Sequence, residues 1–418
     1  MRVLAYVSPA RGHLYPIVPT LLELQQRGHQ VTIRALASEV EALSSIGLDA
    51  AAIDQRVEAR EMDDWRGKNQ LDQLHRALTA FVDRAQVEVG ELQEAVEHWS
   101  PDLLLVDVNS WGAQAVAESS ALPWAVFAPY PLPIPSRDAP PFGRGLKPMK
   151  GMLGRLRDSA LLRLSLLGWN RVLPRYNEVR RAAGAPPLGS VVELFSRAPL
   201  TLAYTAEPLE YPRSDWPPSV RLVGPCSWEP GSDAPAWLKD AGDPVVLVTA
   251  STEYQGDDRL VQVALDALAG QPYRVVVTCP AGRAADFRVP ANARVEAFLP
   301  HGPILEVACC VVCHGGMGIT QKALAAGVPV CVVPFGRDQP EVARRVELAG
   351  AGTRLPASRL SPQRLRRAVL AAIRMRAGAE RVARAFKSAG GAPAAADALE
   401  ALGRRQTAPA DHVATSSR

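Results

Sequence analysis

The amino-acid sequence predicts an α/β protein made of two doubly wound parallel-sheet domains that face each other across a cleft. Short apolar segments of strand length alternate with segments of helical period, which is typical of parallel sheets covered by helices. This alternation stops in a proline-rich stretch near the middle of the chain and then begins again. The chain has 418 residues, which suits two domains of about 200 residues each.

The first half of the chain opens with a series of short segments that are apolar or alternate in polarity. They predict strands at residues 2–8, 29–36, 49–54, 102–108 and 123–129. Helices are predicted at residues 15–28, which Gly28 ends, and at 69–99, where apolar residues recur with helical spacing. Residues 130–150 are crowded with proline and glycine and predict a loop, and an amphipathic segment follows at 151–183.

The second half repeats the pattern after residues 205–235, where prolines are frequent. Its strands are predicted at residues 244–251, 273–279, 293–299, 309–314 and 328–334. Its helices are predicted at residues 257–270, 361–377 and 379–404. Two Rossmann-like halves of this kind bind ligands at the carboxyl ends of their strands. The expected divisions are a domain at 1–210, a linker at 211–235, a domain at 236–385, a C-terminal helix at 386–405 and a disordered tail at 406–418.

Composition and charge argue against several classes of partner. The net charge of +4 is spread along the chain without a long run of lysine or arginine, which argues against a nucleic-acid partner. The apolar segment at the N-terminus is too short for a signal peptide, and no apolar run reaches the roughly 20 residues that span a bilayer. We therefore expect a cytoplasmic protein without membrane contact.

The cysteines are expected to be free thiols. Cys310 and Cys313 have the spacing of a metal-binding pair, but they fall in a predicted buried strand and no second pair accompanies them. The other cysteines are Cys226, Cys279, Cys309 and Cys331. Free thiols suit a reducing compartment, and neither a metal ion nor a cofactor is expected.

The segment VCHGGMGIT at residues 312–320 places three glycines directly after a predicted strand. Glycines let the backbone turn sharply and bring N–H groups close to a ligand, and the N-terminus of a helix attracts anions. Residues 320–327 predict such a helix, which Gly327 ends. The segment therefore predicts a site for a phosphate-like group, although an ordinary tight turn would need the same glycines.

Two segments carry a resemblance to a known family. Residues 298–352, which surround this turn, and the N-terminal RGHLYPIVP at residues 11–19 resemble the inverting family-1 glycosyltransferases of the GT-B fold. The chain is similar to bacterial members that glycosylate macrolides, polyketides and other small natural products. The resemblance implies an acceptor-binding domain at 1–210 and a nucleotide-sugar-binding domain at 236–385, with the C-terminal helix packing back on the first domain.

The resemblance implies that the glycine turn binds the diphosphate of a nucleotide sugar. His314 would donate to the phosphates, as would backbone N–H groups at Gly316, Met317 and Gly318. In this family a Ser or Thr hydroxyl also contacts a phosphate, and here Ile319 occupies that place, which leaves Thr320 as the candidate. Because one neutral hydrogen bond contributes about 0.5–1.5 kcal/mol, we expect weaker donor affinity rather than its loss.

The resemblance assigns further residues to the donor, namely Ser251, Thr252, Phe298, His301, Asp338 and Gln339. Phe298 would stack on the uracil or thymine, and His301 occupies the place of a Gln. Ser251 and Thr252 would reach the diphosphate. Asp338 and Gln339 match a pair that receives sugar hydroxyls, since a carboxylate accepts hydrogen bonds and an amide does both. Each of these residues taken alone would otherwise be an ordinary loop or cap residue.

The resemblance makes His13 the general base that removes a proton from the acceptor hydroxyl. His13 follows a predicted strand and precedes a helix expected to start near Tyr15. Unperturbed histidine has a pKa of about 6.5, which suits a base at neutral pH. Asp107, at the end of another strand, would hold the second ring nitrogen and stabilise the imidazolium. The alternative role for Asp107 is a helix cap.

The implied reaction transfers a hexose with inversion and needs no metal ion. The deprotonated acceptor oxygen would attack the anomeric carbon from the face opposite the diphosphate. The donor would be a co-substrate such as UDP-glucose or a dTDP-sugar. Asp338 and Gln339 favour a hexose with free hydroxyls such as glucose, and a dTDP-deoxysugar is the alternative.

The acceptor is expected to be a small apolar natural product such as a polyketide, a macrolide or an aromatic aglycone. The variable segments of the first domain offer an aromatic pocket built from Trp65, Trp111, Phe142 and Trp169. The alternatives are a nucleotide-sugar epimerase, a catalytically silent binding protein of the same fold, and a glycolipid or sterol glycosyltransferase. The last is suggested by the arginine-rich segment 155–181. We expect a monomer or a homodimer.

Overall fold

The computed structural model describes residues 1–231, 236–238, 242–251, 256–280 and 286–407. These residues form two α/β domains, each built on one parallel sheet. Hydrophobic clusters cover both faces of each sheet, and the neighbouring residues Val3 and Leu4 of the first strand enter different clusters. Each sheet is therefore buried between layers of helices. The predicted doubly wound architecture is confirmed.

The first domain alternates strands and helices. Its strands are β1 (Arg2–Tyr6), β2 (Gln30–Ala35), β3 (Asp49–Ala52), β4 (Leu103–Asp107), β5 (Trp124–Ala128), β6 (Leu200–Ala203) and β7 (Val220–Leu222). Its helices are α1 (Arg11–Gln26), α2 (Val40–Ser45), α3 (Gln55–Ala59), α4 (Gln70–Trp99), α5 (Trp111–Ser119), α6 (Gly151–Trp169) and α7 (Leu173–Ala182). Short 3₁₀ helices occupy Ala37–Glu39, Asp64–Arg66, Asn170–Val172 and Val191–Ser196.

Two helical segments of the first domain differ from the sequence prediction. Helix α1 begins at Arg11 rather than near Tyr15, so His13 lies in its first turn. The segment 151–183 contains two helices, α6 and α7, with a 3₁₀ turn between them. Helix α1 ends before Gly28, whose φ of +84° lies in the left-handed region that favours glycine.

The seven strands of the first sheet lie in the order β3-β2-β1-β4-β5-β6-β7. Strands β6 and β7 are missing from the sequence prediction, because four and three residues give at most two alternations and a weak signal. Strand β7 lies inside the expected linker 211–235, so the first sheet continues beyond residue 210. The winding reverses between β1 and β4, and ligands of doubly wound sheets bind beyond the carboxyl ends of such neighbours.

The second domain repeats the plan. Its strands are β8 (Val245–Thr249), β9 (Arg274–Thr278), β10 (Ala293–Glu296), β11 (Ala308–Cys313), β12 (Val330–Val332) and β13 (Gly352–Arg354). Its helices are α8 (Asp258–Leu268), α9 (His301–Val307), α10 (Met317–Ala325), α11 (Gln339–Leu348), α12 (Pro362–Ile373), α13 (Arg376–Ser388) and α14 (Gly391–Thr407). Short 3₁₀ helices occupy Ala236–Leu238 and Ala357–Arg359.

The six strands of the second sheet lie in the order β10-β9-β8-β11-β12-β13, so the winding reverses between β8 and β11. This reversal places a second ligand crevice beyond the carboxyl ends of β8 and β11. Among the helices of the described ranges, none is both long enough and apolar enough to cross a membrane.

The last helix returns to the first domain. Positive φ angles at Gly390 and Gly391 divide the helical segment expected at 379–404 into α13 and α14. Leu399 of α14 is buried in the hydrophobic cluster that contains α1. Arg27, which directly follows α1, donates to Asp397 of α14 at 2.6 Å and to Glu23 of α1. Of the expected tail, residues 408–418 lie outside the described residues.

A loop of the first domain is fastened to helix α11 of the second. Oε1 of Glu341 accepts hydrogen bonds from the N–H groups of Gly143 (2.9 Å) and Gly145 (2.7 Å). Oε2 of Glu341 accepts from Arg345 at 2.9 Å, and Arg345 also donates to both carboxylate oxygens of Glu210. We call these five residues the α11 network. Its charged side chains are buried, so removing one partner would leave another charge uncompensated.

Candidate functional site

A cavity of about 1030 Å³ lies between the two domains. It is lined from the first domain by residues that follow β1 and β4, and from the second by residues that follow β8 and β11. Both points of winding reversal therefore open into the same space. Apolar side chains of α4, of the loop after β5 and of α6 extend this space within the first domain.

His13 and Asp107 meet at the wall of the first domain. Asp107 is fully buried at the end of β4, and its two oxygens lie 2.9 and 3.0 Å from Nδ1 of His13. The carboxylate also accepts from the N–H and the hydroxyl of Ser8 and from the N–H of Asn109. These bonds fix the carboxylate toward the imidazole. Helix α5 begins after Ser110, so Asp107 does not occupy its cap position.

The other imidazole nitrogen has a partner that the sequence analysis did not identify. Nδ2 of Asn109 lies 3.3 Å from Nε2 of His13. Oδ1 of Asn109 accepts from the hydroxyl of Tyr130 at 2.9 Å, which orients the amide with its nitrogen toward the histidine. Burial raises the pKa of the Tyr130 hydroxyl, as does the charge of Asp107, so this group remains a donor at neutral pH. The Asp-x-Asn spacing at the end of β4 was the available sequence signal.

The glycine turn lies across the cavity, between β11 and α10. Gly315 has a φ of +99°, and a Cβ atom there would lie 2.7 Å from Val332. A Cβ atom on Gly316 would lie 2.5 Å from Nε2 of His314, so the absence of a side chain makes room for the imidazole. Together with the first turn of α10, these residues form the strand–turn–helix arrangement that the sequence predicts.

His314 is buried and neutral at this turn. Burial lowers its pKa, the charge of Arg337 lowers it further, and the carboxylate of Asp257 opposes them. Nδ1 of His314 lies 3.9 Å from Asp257, and among the described residues it has no hydrogen-bond partner. A buried polar atom without a partner is costly, and a ligand oxygen in the cavity would relieve that cost.

Two of the expected donor residues do not line the cavity. The hydroxyl of Thr320 donates to the carbonyl of Gly316 inside its own helix at 2.9 Å, and its side chain is fully buried. The amide oxygen of Gln339 accepts from the N–H groups of Phe335 and Gly336, which holds the turn before α11. Both side chains have structural partners that the sequence could not show.

Several of the other expected donor residues line the cavity, and Ile319 lines it beside them. Ser251 follows β8, and its hydroxyl donates to Asp257 at 2.8 Å. Thr252 lies outside the described residues. Phe298 is exposed on the cavity wall. Glu229 also lines this wall, and its carboxylate pairs with Lys322 at 2.7 Å.

His301 begins α9 in the place where the resemblance implies a Gln. Nε2 of His301 lies 3.0 Å from the hydroxyl of Thr278. Burial lowers the pKa of His301 to about 4, the nearby Lys322 lowers it as well, and Glu229 opposes them. The ring is therefore neutral at neutral pH, and it offers one donor and one acceptor as an amide does.

Asp338 and Arg337 line the cavity just before helix α11. Asp338 lines the cavity, and burial raises the pKa of its carboxyl while the charges of Arg337 and His13 lower it. The guanidinium of Arg337 forms two hydrogen bonds, of 2.8 and 2.9 Å, with the carboxylate of Asp64 in the first domain. This ion pair joins the second-domain wall of the cavity to the first-domain wall, and neither partner was identified from the sequence.

Two of the four aromatic residues that were expected to bind the acceptor line the first-domain end of the cavity. Phe142 and Trp169 line the cavity with their rings 6.4 Å apart in an edge-to-face arrangement. Trp111 is instead buried in the core between Phe81 and Tyr176, because its helix packs directly on α4. Other apolar residues of the lining are Leu71, Leu74, Leu78, Phe81, Tyr130 and Leu164.

The remaining expected aromatic residue, Trp65, lies apart from the cavity lining. It is 37% exposed, and the guanidinium of Arg66 stacks on its ring at 4.9 Å. All six cysteines are free thiols. Within the described ranges, no group of three or more His, Cys, Asp or Glu side chains is arranged to hold a metal ion.

Comparison with solved structures identifies the fold. The glycosyltransferase of kitacinnamycin superposes with a TM-score of 0.75 at 23% identity, covering 96% of this chain and 98% of that one. The glycosyltransferase VinC in complex with dTDP superposes with a TM-score of 0.71 at 22% identity, covering 97% and 100%. The architecture is thus that of the GT-B glycosyltransferases, as the sequence predicts.

Sequence comparison places the chain within this class. It is 34% identical over 427 aligned residues to 4'-demethylrebeccamycin synthase of Lentzea aerocolonigenes, covering 96% of this chain and 99% of that protein. Residues 262–402 match the EryCIII-like C-terminal domain, described as that of an erythromycin biosynthesis protein. The chain belongs to this family of glycosyltransferases of natural-product biosynthesis.

Proposed function

We propose that this glycosyltransferase transfers a hexose from a uridine or thymidine diphosphate donor to a hydroxyl of a small apolar acceptor, by one inverting displacement without a metal ion. The observation that carries the proposal is the His13–Asp107 pair, which opens into the same cavity as the glycine turn of the second domain. A base on one wall and an anion site on the other are what a single displacement at a sugar carbon requires.

His13 would act as the general base through Nε2. Asp107 receives the hydrogen of Nδ1, so Nε2 carries the lone pair, and the acceptor hydroxyl would displace the Asn109 amide from it. As the hydroxyl proton moves to Nε2, the ring gains a positive charge. The buried carboxylate 2.9 Å away stabilises that charge, which lowers the barrier to attack on the anomeric carbon.

The glycine turn would stabilise the departing diphosphate. Negative charge develops on the phosphate oxygens as the glycosidic bond breaks, and the N-terminus of α10 carries the positive end of a helix dipole. His314 adds an N–H donor from the same turn. These groups are positioned before the reaction and do not have to reorganise, so they supply the electrostatic stabilisation that a metal ion supplies in other transferases.

The nucleoside and the sugar would lie on opposite sides of this turn. Phe298 offers a ring for stacking on the base and the neutral His301 offers hydrogen bonds to it. The dTDP complex of VinC supports thymidine diphosphate as one of the two candidates. Since the oxygen of Gln339 is bonded to backbone, Asp338 is the candidate that receives sugar hydroxyls. The preference for a glucose-like hexose over a deoxysugar then depends on Asp338.

The acceptor would be a flat or extended apolar molecule. The first-domain end of the cavity is lined by aromatic and aliphatic side chains, among them Phe142 and Trp169. Such a lining favours an apolar aglycone, and hydroxyl groups would be directed toward His13 at the polar end. A glycolipid or a sterol is the second candidate, because helix α6 also leaves several apolar side chains exposed beside this end of the cavity.

The proposal is tested by a two-stage screen of the purified protein. Thermal shift with a panel of uridine and thymidine diphosphate sugars identifies the donor, and mass detection with an acceptor library identifies the product. The anomeric coupling constant of the product reports inversion, and activity in excess chelator should equal activity without it. Donor turnover without any acceptor would indicate an epimerase or a hydrolase instead, and donor binding without turnover would indicate a silent protein.

Competition between donors tests the role of Asp338. If its carboxylate receives sugar hydroxyls, the wild-type protein should prefer glucose to a deoxyglucose on the same nucleotide. The Asp338→Ala variant should lose that discrimination, since the group that distinguishes the two sugars is gone. A wild-type preference for the deoxysugar would contradict this assignment, while the proposed base would stand independently.

A further inference from the structure

Helix α6 presents an apolar stripe to solvent. The exposed fractions of the residues are 74% for both Met152 and Leu153, 61% for Leu156, 59% for Leu164 and 70% for Leu167. Spacings of three and four residues place these side chains on one face of the helix. We call these five residues the α6 stripe. In the described part of the chain, six of the thirteen exposed large hydrophobic side chains fall within residues 149–167.

The stripe is surrounded by positive charge. Residues 144–171 contain seven arginine or lysine residues and a single acidic residue, Asp158. Asp158 is paired with Arg157 at 2.8 Å, so it does not offset the other cations. The exposed cations of this segment are Arg144, Lys147, Lys150, Arg155, Arg163 and Arg171. Arg155 and Arg163 lie on α6 itself, and the other four cations lie in the chain just before and after the helix. Exposed apolar side chains with basic residues beside them are typical of helices that lie in the interface of a bilayer.

Contrary to the expectation from the sequence of no membrane contact, we propose that the α6 stripe docks on the surface of a bilayer that contains anionic lipid. The leucines would enter the boundary between head groups and acyl chains, and the cations would contact lipid phosphates. A second copy of the chain is a poorer occupant, because pairing two such faces would bring seven cations against seven with little acidic charge between them. A protein partner would need an acidic and apolar face of its own.

The position of the stripe adds a second argument. Leu164 belongs to the stripe and also lines the cavity. Its neighbour Ser165, which is not part of the stripe, lines the cavity as well. A bilayer docked on α6 would therefore lie at the apolar end of the cavity, next to Phe142 and Trp169. Docking does not depend on which acceptor is used, so it stands or falls separately from the proposed reaction.

Vesicle co-sedimentation of the full chain tests the proposal. Vesicles of phosphatidylcholine alone are compared with vesicles of equal parts phosphatidylcholine and phosphatidylglycerol. We expect binding to the anionic vesicles that weakens as salt is added, with little binding to the neutral ones. The triple variant Leu153→Ser, Leu156→Ser and Leu167→Ser should lose at least nine-tenths of that binding, because burial of even one leucine contributes roughly tenfold to partitioning.

Two further variants make the result specific. Arg155→Gln with Arg163→Gln keeps the stripe, and should lower the partition coefficient about fivefold for each removed charge. The matched control Val307→Ser, Leu348→Ser and Leu370→Ser changes exposed apolar residues elsewhere and should bind like the wild type. All variants are compared by circular dichroism, since each changes only exposed side chains and should keep the fold.

Three outcomes would overturn the proposal. The first is a wild type that pellets with neither kind of vesicle, and the second is a triple variant that pellets as well as the wild type. The third is equal binding of the wild type to neutral and anionic vesicles. Light scattering adds a decisive comparison. Self-association that the triple variant abolishes, in a protein that does not bind vesicles, would identify a second copy as the occupant of the stripe.

Discussion

The amide nitrogen of Asn109 lies 3.3 Å from Nε2 of His13, on the side of the ring opposite Asp107. The amide is held in this orientation by the hydroxyl of Tyr130, which donates to Oδ1 of Asn109. A donor at Nε2 and a carboxylate at Nδ1 together select one neutral tautomer of the imidazole. In that tautomer the hydrogen lies on Nδ1 toward Asp107, and the lone pair of Nε2 is directed toward the Asn109 amide.

Replacing Asn109 by aspartate should change the pH dependence of transfer. In the Asn109→Asp variant a carboxylate would face Nε2 and favour the imidazolium, so the base would be protonated at higher pH. We expect the acid side of the pH–rate profile to move up by about one to two pH units. Measuring kcat/KM across the pH range checks this, with Asn109→Ala as the control that removes the amide without adding charge. A slower variant with an unmoved profile would contradict the role assigned to Asn109.

Removing the proposed base should abolish most transfer without affecting the donor. His13→Ala deletes the group that takes the acceptor proton, and general base catalysis contributes about 10²–10⁴-fold. Donor affinity, measured by calorimetry, should stay close to that of the wild type because the glycine turn is intact. Asp107→Asn should slow transfer by a smaller factor, since it orients the ring rather than receiving the proton. Activity within a few-fold of wild type in His13→Ala would exclude His13 as the base.

Donor binding should take up a proton at His314. Burial lowers the pKa of this histidine, so the unliganded ring is neutral at neutral pH, and a diphosphate beside it would favour the protonated form. Affinity for UDP or dTDP should therefore increase as the pH falls. Calorimetry in two buffers of different ionisation enthalpy measures the uptake. His314→Gln should bind more weakly and without this pH dependence, and equal affinity in wild type and variant would contradict the assignment.

The buried carboxyl of Glu88 should make the first domain less stable as the pH rises. Burial raises its pKa to about 8, although the N–H groups of Gly112 and Ala113 oppose the shift. Since the folded state binds this proton more tightly than the unfolded state, its stabilisation is complete below the unfolded pKa and is lost as the pH rises through 8. The slope is about 1.4 kcal/mol per pH unit within that window.

The Glu88→Gln variant isolates this effect. An amide at this position can still accept from Gly112, which donates to Glu88 at 2.8 Å, but it has no proton to lose. The difference in free energy of unfolding between variant and wild type should grow in favour of the variant from about pH 5 to about pH 8. Chemical denaturation followed by tryptophan fluorescence measures that difference. A difference that does not change with pH would show that Glu88 keeps an ordinary affinity for its proton.

The sequence was sufficient for the parts of the fold that rest on local pattern. Long apolar segments such as 102–108 and the glycine turn at 312–320 predicted the sheets and the ligand crevice, because strand period and turn chemistry are encoded locally. Strands β6, β7 and β13 were missed because segments of three or four residues give at most two alternations and therefore a weak signal. The start of α1 was missed because Pro16 and Pro19 lie within the helix, where proline usually marks its boundary.

Side-chain direction explains what could not be predicted at the site. Thr320 and Gln339 have residue types suited to a donor sugar or phosphate, yet both are bonded to their own backbone turns. Trp111 has an aromatic ring of the kind that could bind an apolar acceptor. Its position on α5 directs that ring into the hydrophobic core instead. The pairing of Arg337 with Asp64 joins residues far apart in sequence, and no local signal reports such a contact.

The α11 network bears on the construction of chimeric enzymes. Glu341 belongs to the second domain, but the backbone it holds at Gly143 and Gly145 belongs to a loop beside Phe142. In a chimera joined at the interdomain segment, the two sides of this contact would come from different proteins. A loop from the foreign first domain would then have to pack against Glu341 and Arg345 of this chain. At Gly145 a Cβ atom would lie 2.0 Å from the carbonyl oxygen of Pro340, so the incoming loop would also need a glycine there. Exchange of acceptor specificity between relatives should therefore succeed when the loop and the first turns of α11 are transplanted together.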